Sequence, residues 1–294
     1  MRLSIVLICN PVAKKASERR VAMASYYLQS KGCLVELLFT EKRGDAEGLA
    51  KEAVKKSPSL VIAAGGDGTI NEVINGIAGT EIPLAILPLG TTNVLARELG
   101  IPEDLEAAMG IAIRRTPKSI TLGKIACTRY PAFITRYFCL MAGIGFDGES
   151  VFGISEKFKK VSGKGAYIAS GIKTLSLFNP EELTFSIDGK THNGYSAIIG
   201  NVSKYGGNFH VTPDARITDP FLYVCLFKGK NRLDVLRYAF GIITSRHLRF
   251  QDIEYLKAAS IEINGKAHIQ IDGDYLGMTP AKIEIVHDAL KLVF

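Results

Sequence analysis

Glycine, hydroxyl and carboxylate groups recur along this chain in groupings that can hold phosphate and move a proton. Gly65-Gly66-Asp67-Gly68-Thr69 follows the apolar run 60–64 and precedes a helical pattern at 70–77. Glycines let a backbone approach a ligand without an intervening Cβ, and a helix start offers unpaired N–H groups and positive dipole. Thr69 and Glu72 are spaced as a capping box, which would fix that helix start. Asp67 repels phosphate unless a cation intervenes, so the stretch points to Mg²⁺-nucleotide. Pro88-Leu89-Gly90-Thr91-Thr92-Asn93 repeats the logic after another apolar run, and Asn10-Pro11 closes a third. Polar clusters follow at 201–207 and 213–219, and Asp272-Gly273-Asp274 ends an alternating run. Taken by itself, Asp-Gly there reads first as a hairpin turn and second as a pair of catalytic acids.

Elements must position these groups, and the hydrophobic pattern supplies them. Over residues 1–118, short β-type runs alternate with helical ones, which predicts a parallel sheet covered by helices. From about 119 the texture is of strands, at 119–126, 135–142, 182–187, 196–201, 222–227, 259–264, 268–271 and 281–286, interrupted by helical patterns at 149–178 and 231–249. The expected fold is an α/β N-terminal domain (1–118, with 284–294 a candidate completion) followed by an antiparallel β-rich domain (119–283). In an open α/β sheet, ligands bind beyond the carboxyl ends of the strands, where all three glycine or asparagine exits lie.

Composition narrows the function classes. With 294 residues, 47% of them hydrophobic, the chain can bury a full core in each of two domains. No apolar run approaches the roughly 18 residues of a membrane-spanning helix, and the short apolar start at 3–9 reads as a strand rather than a secretion signal. Five scattered cysteines with no CxxC pair argue against zinc and disulfides and favour a reducing cytoplasm. The formal charge of +7 suits an anionic partner. No nucleic-acid recognition motif is present. The five histidines are dispersed and read as non-catalytic. Residues 151–177 and 232–249 mix lysine or arginine with large apolar residues, which fits either a basic amphipathic contact with acidic lipid or helices that cover the sheet.

The motifs Gly65 to Thr69, Asn71-Glu72, Pro88 to Asn93, Gly143-Ile144-Gly145-Phe146-Asp147, Tyr205-Gly206-Gly207, Pro213-Asp214-Ala215 and Asp272-Gly273-Asp274 stand in the order seen in the diacylglycerol kinase catalytic-domain family, which the chain resembles over essentially its whole length. That family is related more distantly to sphingosine and ceramide kinases and to NAD kinase. The resemblance implies an α/β nucleotide domain, an antiparallel β-rich sandwich as the second domain, an active site in an interdomain cleft, ATP as phosphoryl donor, Mg²⁺, a lipid acceptor and peripheral contact with the inner membrane surface. It implies nucleotide contacts from Asn10, Thr40, Gly66, Asp67, Gly68, Thr69, Asn71, Glu72 and Thr91 or Thr92, beside Gly65, Gly90 and Asn93 of the same exits. Arg216, Asp219 and Phe221 match a Mg²⁺ site, the first and last through backbone carbonyls. Asp274 falls at the proton-acceptor position with Asp272 beside it, and Asp67 joins the metal-linked network. The chain departs from the pattern in four places: Val12-Ala13-Lys14-Lys15 replaces a glycine-bearing loop, with Lys14 a substitute phosphate contact; Asp274 replaces Glu; Val94 replaces Asp; and Asp219-Pro220 replaces Asp-Gly. Two rival expectations are a NAD or other small-molecule kinase, and a nucleotide-binding regulatory protein.

Overall fold

The structure, a computed structural model, describes residues 2–152, 175, 179–207 and 209–294. It divides into two units, 1–122 with 287–294, and 123–286. Most of the helical pattern at 149–178, with the basic amphipathic stretch inside it, lies outside the described residues.

The first unit runs β1 (Ser4–Cys9), α1 (Glu18–Ser30), β2 (Leu34–Phe39), α2 (Asp45–Lys55), β3 (Leu60–Gly65), α3 (Asp67–Ile77), β4 (Leu84–Pro88), α4 (Val94–Glu98) and α5 (Leu105–Arg114). The sheet order is β2-β1-β3-β4, all parallel. Every residue of β3 and of β4 is buried, as expected of strands covered on both faces. Helix starts carry local caps: Ser17 accepts from the Arg20 N–H at 3.2 Å, and Asp104 from Ala107 N–H at 2.9 Å. Helices α2 and α3 pack closely because position 76 is glycine. A Cβ there would lie 2.5 Å from Ala50 Cβ and 2.8 Å from the Glu47 carbonyl.

The second unit is an antiparallel β-sandwich. Its elements are β5 (Lys118–Arg129), β6 (Ala132–Phe138), β7 (Met141–Ile144), α6 (Phe146–Phe152), β8 (Leu183–Ile187), β9 (Lys190–Gly194), β10 (Ser196–Gly200), β11 (Lys204–Tyr205), β12 (Phe209–His210), β13 (Leu222–Phe227), α7 (Arg232–Ile243), a 3₁₀ turn (His247–Arg249), β14 (Ile253–Ala258), β15 (Ser260–Asn264), β16 (His268–Ile271) and β17 (Asp274–Leu292). One layer is ordered β14-β13-β10-β7-β16-β17, and β9-β8-β15 joins the later part of β17. Phe138, Ile144, Phe185, Ile199, Val224, Ile261, Ile269 and Ile283 interleave into one buried core. The helical pattern at 231–249 resolves into α7 and the 3₁₀ turn, separated where Ser245 adopts a positive φ of 55°.

Candidate active site

The three strand exits of the first unit are tied together at the carboxyl edge of the sheet. The Asn10 N–H donates to the Ala64 carbonyl at 3.0 Å, Leu89 N–H to Gly65 at 2.8 Å and Lys15 N–H to Leu89 at 2.9 Å. The Asn10 amide reaches Thr69 Oγ1 at 3.1 Å, and Thr40 follows β2 with its N–H on the Cys9 carbonyl at 2.9 Å. Lys14 sits in the turn after β1. Gly66 and Gly90 meet backbone to backbone: a Cβ on Gly90 would lie 2.5 Å from Gly66 Cα, and one on Gly65 2.6 Å from Thr69 Cβ. No side chain can therefore be placed on Gly90 without moving the backbone, one on Gly66 would press on Gly90 Cα at 3.2 Å, and the first turn of α3 keeps N–H groups that no intrahelical carbonyl can take.

Helix α3 begins at Asp67, with Gly66 as its extended N-cap (φ −93°, ψ −178°). The expected Thr69–Glu72 capping box is thereby corrected, since Thr69 lies inside the first turn, where Asn10 engages its hydroxyl. Glu72 instead accepts N–H groups of Gly44 at 2.9 Å and Ala46 at 3.1 Å, capping α2 with a carboxylate suited to its positive end. Asp67 turns to α4, accepting from Val94 N–H at 3.0 Å and Leu95 N–H at 3.1 Å. Burial pushes its carboxyl above the usual range, against the pull of those N–H groups. Asn93, fully buried with φ +48°, closes the second loop by accepting from Gly90 N–H at 2.9 Å and donating to the Gly90 carbonyl at 3.2 Å. Thr92 is half-buried, Thr91 exposed, and Gly68 and Asn71 lie in the first two turns of α3.

In the second unit Asp272-Gly273 is the two-residue turn of the β16–β17 hairpin, with Ile271 paired to Asp274. Asp272 and Gly273 both have positive φ (49° and 86°), as I′-type hairpin turns require. The Asp272 carboxylate accepts three backbone N–H groups, from Cys139, Leu140 and Met141, each at 2.9 Å. A second support is a polar chain in which Gln270, which no sequence motif marks, joins Asp147 and Tyr205 of the named motifs to the turn. Gln270, only 2% exposed, accepts Gly273 N–H at 2.8 Å and donates to Asp147 Oδ2 at 2.6 Å, while Tyr205 hydroxyl donates to Asp147 Oδ1. Burial raises the Asp147 carboxyl above its usual range, with the Tyr205 and Gln270 bonds opposing. Gly143 leaves room for it, since a Cβ there would fall 1.7 Å from Asp147 Oδ2. The available signal was a glutamine amid the apolar residues of a strand next to an acidic turn. Arg216 and Asp219 close their own loop, the Asp219 N–H on the Arg216 carbonyl at 2.9 Å and Arg216 N–H on Asp219 Oδ2 at 3.1 Å. Phe221 follows, its ring under the Lys257 ammonium at 4.2 Å. A hollow of about 670 Å³ in this unit, lined by Asn179, Tyr195, Lys230 and Arg232 among others, involves none of the candidate catalytic, nucleotide or metal residues.

Comparison with known proteins matches residues 4–125 to the diacylglycerol kinase catalytic domain and 142–294 to the YegS C-terminal NAD kinase beta sandwich-like domain. A diacylglycerol kinase of Bacillus subtilis (strain 168) is 31% identical, covering 98% of this chain and 95% of its own. The chain belongs to the diacylglycerol kinase family. It is accordingly a kinase, of the transferases that take an alcohol group as acceptor. Staphylococcus aureus relatives with the same description are 29% identical over 96% of this chain and 89% of theirs. A crystal structure of a candidate diacylglycerol kinase from Bacillus anthracis str. Sterne superimposes with a TM-score of 0.80 at 25% identity, covering 99% of this chain and 95% of that one. The fold extends further: yeast NADH kinase complexed with NADH gives a TM-score of 0.53 at 12% identity over 99% and 83%. The two-part architecture expected from the motifs, an α/β domain with parallel strands and a β-sandwich, is the family's.

Proposed function

We propose that this member of the family transfers the γ-phosphoryl group of Mg·ATP to a hydroxyl of a diacylglycerol-like lipid. The observation that carries the reading is the Gly66–Gly90 contact, which clears side chains from the sheet edge beside the α3 N-terminus. Phosphoryl transfer asks a protein for positioning and charge neutralisation rather than covalent chemistry, and bare backbone at a helix start supplies both. Asn10, Thr40, Gly66, Gly68 and Thr69 hold the donor in this reading. Asp67 and Glu72 act behind them, fixing the starts of α4 and α2. Asp274 accepts the proton of the lipid hydroxyl, because Asp272 already holds three backbone N–H groups.

The Arg216–Asp219 loop fits a hard cation. Its donors are oxygens, one carboxylate and backbone carbonyls with a second lone pair each, and no cluster of three or more His, Cys, Asp or Glu side chains occurs among the described residues. Asp219 with the carbonyls of Arg216 and Phe221 would hold a largely hydrated Mg²⁺, supplying positive charge to the polar surroundings. Purified protein incubated with Mg·[γ-³²P]ATP and a panel of diacylglycerol, phosphatidylglycerol, sphingoid bases and NAD should label diacylglycerol-like lipid. Labelled NAD without labelled lipid overturns the reading, as does nucleotide binding with no transfer to any acceptor.

A further inference from the structure

Helix α7 carries a row of large apolar side chains that the described residues leave in solvent. Leu233 is 77% exposed, Leu236 50%, Phe240 67% and Ile243 60%. Their spacing of three, four and three residues places them within an arc of about 80° at 100° per residue. Tyr238 and Gly241, on the opposite side of the helix, are buried. Ordinary helix packing thus accounts for one face of α7 and leaves the more apolar one uncovered. Phe209, 44% exposed, sits on β12, which packs beside α7 and extends the apolar surface beyond the helix.

We propose that this row is a docking surface for an anionic lipid bilayer, with α7 lying in the plane of the interface. The charges around it select that partner. Lys230 and Arg232 are exposed at its start, and Arg246 and Arg249 are exposed beyond its end. The acids close by are engaged locally. Asp234 caps the helix by accepting Asn231 N–H at 3.1 Å, and Asp252 takes the Arg237 guanidinium and the Tyr238 hydroxyl. A single apolar row edged by cations matches a helix that sinks its apolar face roughly 5–10 Å into the headgroup boundary. A protein partner fits less well, because stable interfaces engage about 20–30 residues a side. The surface would bring the chain to the phase in which its proposed acceptor resides, and to that extent it rests on the lipid-kinase reading.

Flotation of the full chain with vesicles, without nucleotide, tests the surface independently of catalysis. Wild-type protein should float with phosphatidylglycerol-containing phosphatidylcholine vesicles, less in high salt, and little with phosphatidylcholine alone. Combined Leu236→Glu and Phe240→Glu should lower the bound fraction by roughly tenfold or more, given two large side chains denied burial. A second readout stays apolar and guards against misfolding. The chain has no tryptophan, so Phe240→Trp is a single reporter, whose emission should shift to the blue on anionic vesicles alone. No blue shift, or equal flotation of the double variant, overturns the proposal. So does sedimentation showing that the row instead joins two copies of the chain, with the double variant monomeric and flotation unchanged. Lipid phosphorylation failing while flotation succeeds would overturn the kinase reading and leave the surface standing.

Discussion

Asp272 and Asp274 share a side chain and a turn, yet the hairpin gives them different work. Pairing of Ile271 with Asp274 leaves Asp272 inside the turn, where its carboxylate collects three N–H groups. Asp272→Ala should therefore act on stability, lowering it by about 2–4 kcal/mol as three backbone donors lose a charged acceptor. Asp274→Ala should act on turnover, reducing kcat about 100-fold or more if it is the general base, with a far smaller change in unfolding midpoint. Parallel denaturation and steady-state assays separate the two, and undiminished kcat in Asp274→Ala would remove it from the mechanism. The acidic turn was legible in the sequence as either a hairpin or a catalytic pair; the hairpin is there, and a catalytic Asp274 is the proposal that these assays test. Which acid does which was not legible, because the difference lies in pairing register and in donors more than 130 positions away. Gln270 was hidden for a related reason: the carboxylate it donates to, on Asp147, is 123 positions away and reaches it only in the fold.

Helices α2, α3 and α4 show what alternation of apolar runs reveals and what it hides. The existence of each element followed from periodicity, but the start of α3 did not. Thr69 and Glu72 have capping-box spacing, and tertiary partners claimed both, Asn10 for the hydroxyl and the α2 start for the carboxylate. Asp67 read as an acid beside a cation, and no local pattern showed that its carboxylate accepts the first two N–H groups of α4. Local spacing competes with donors brought by neighbouring strand exits, and at a crowded sheet edge the neighbours win. Two glycines on these elements should respond oppositely to the same change. Gly48, exposed inside α2 with nothing within 4 Å of where a Cβ would stand, gains helix propensity on Gly48→Ala, about 0.5–1 kcal/mol. Gly90→Ala would drive a methyl to 2.5 Å from Gly66 Cα and 2.6 Å from Asn93 Oδ1. Forcing those loops apart should cost about 1–3 kcal/mol and raise the KM for ATP. Thermal melts with ATP titrations read both, and a Gly90→Ala protein with unaltered stability and KM would argue against close loop packing.

At the scale of the whole molecule, the chain leaves its first unit after residue 122 and returns to it at residue 287. The change from alternating elements to strands was visible along the sequence, since period and composition change there. The return, for which 284–294 was a candidate, has no such local mark: the last residues continue β17, and long-range pairing is what assigns them. Leu292 pairs in parallel with Leu84, Val293 N–H donates to the Leu84 carbonyl at 2.8 Å, and Gly79 N–H reaches the Ala289 carbonyl at 2.8 Å. Ala289, Leu290, Leu292 and Val293 are all buried. Burying the three larger side chains contributes about 5–9 kcal/mol, which is comparable with the roughly 5–15 kcal/mol that holds a whole domain folded. Deleting residues 287–294 should therefore cost the first unit its cooperative fold. Amide exchange in Leu60–Gly65 and Leu84–Pro88 should rise to near-unprotected rates, and ATP binding should disappear. Deleting Phe294 alone keeps the pairing and those buried side chains, so protection should persist. Protected strands in the longer deletion would mean that β1 to β4 stand without the returning segment, and that its burial adds little to what the parallel sheet already holds.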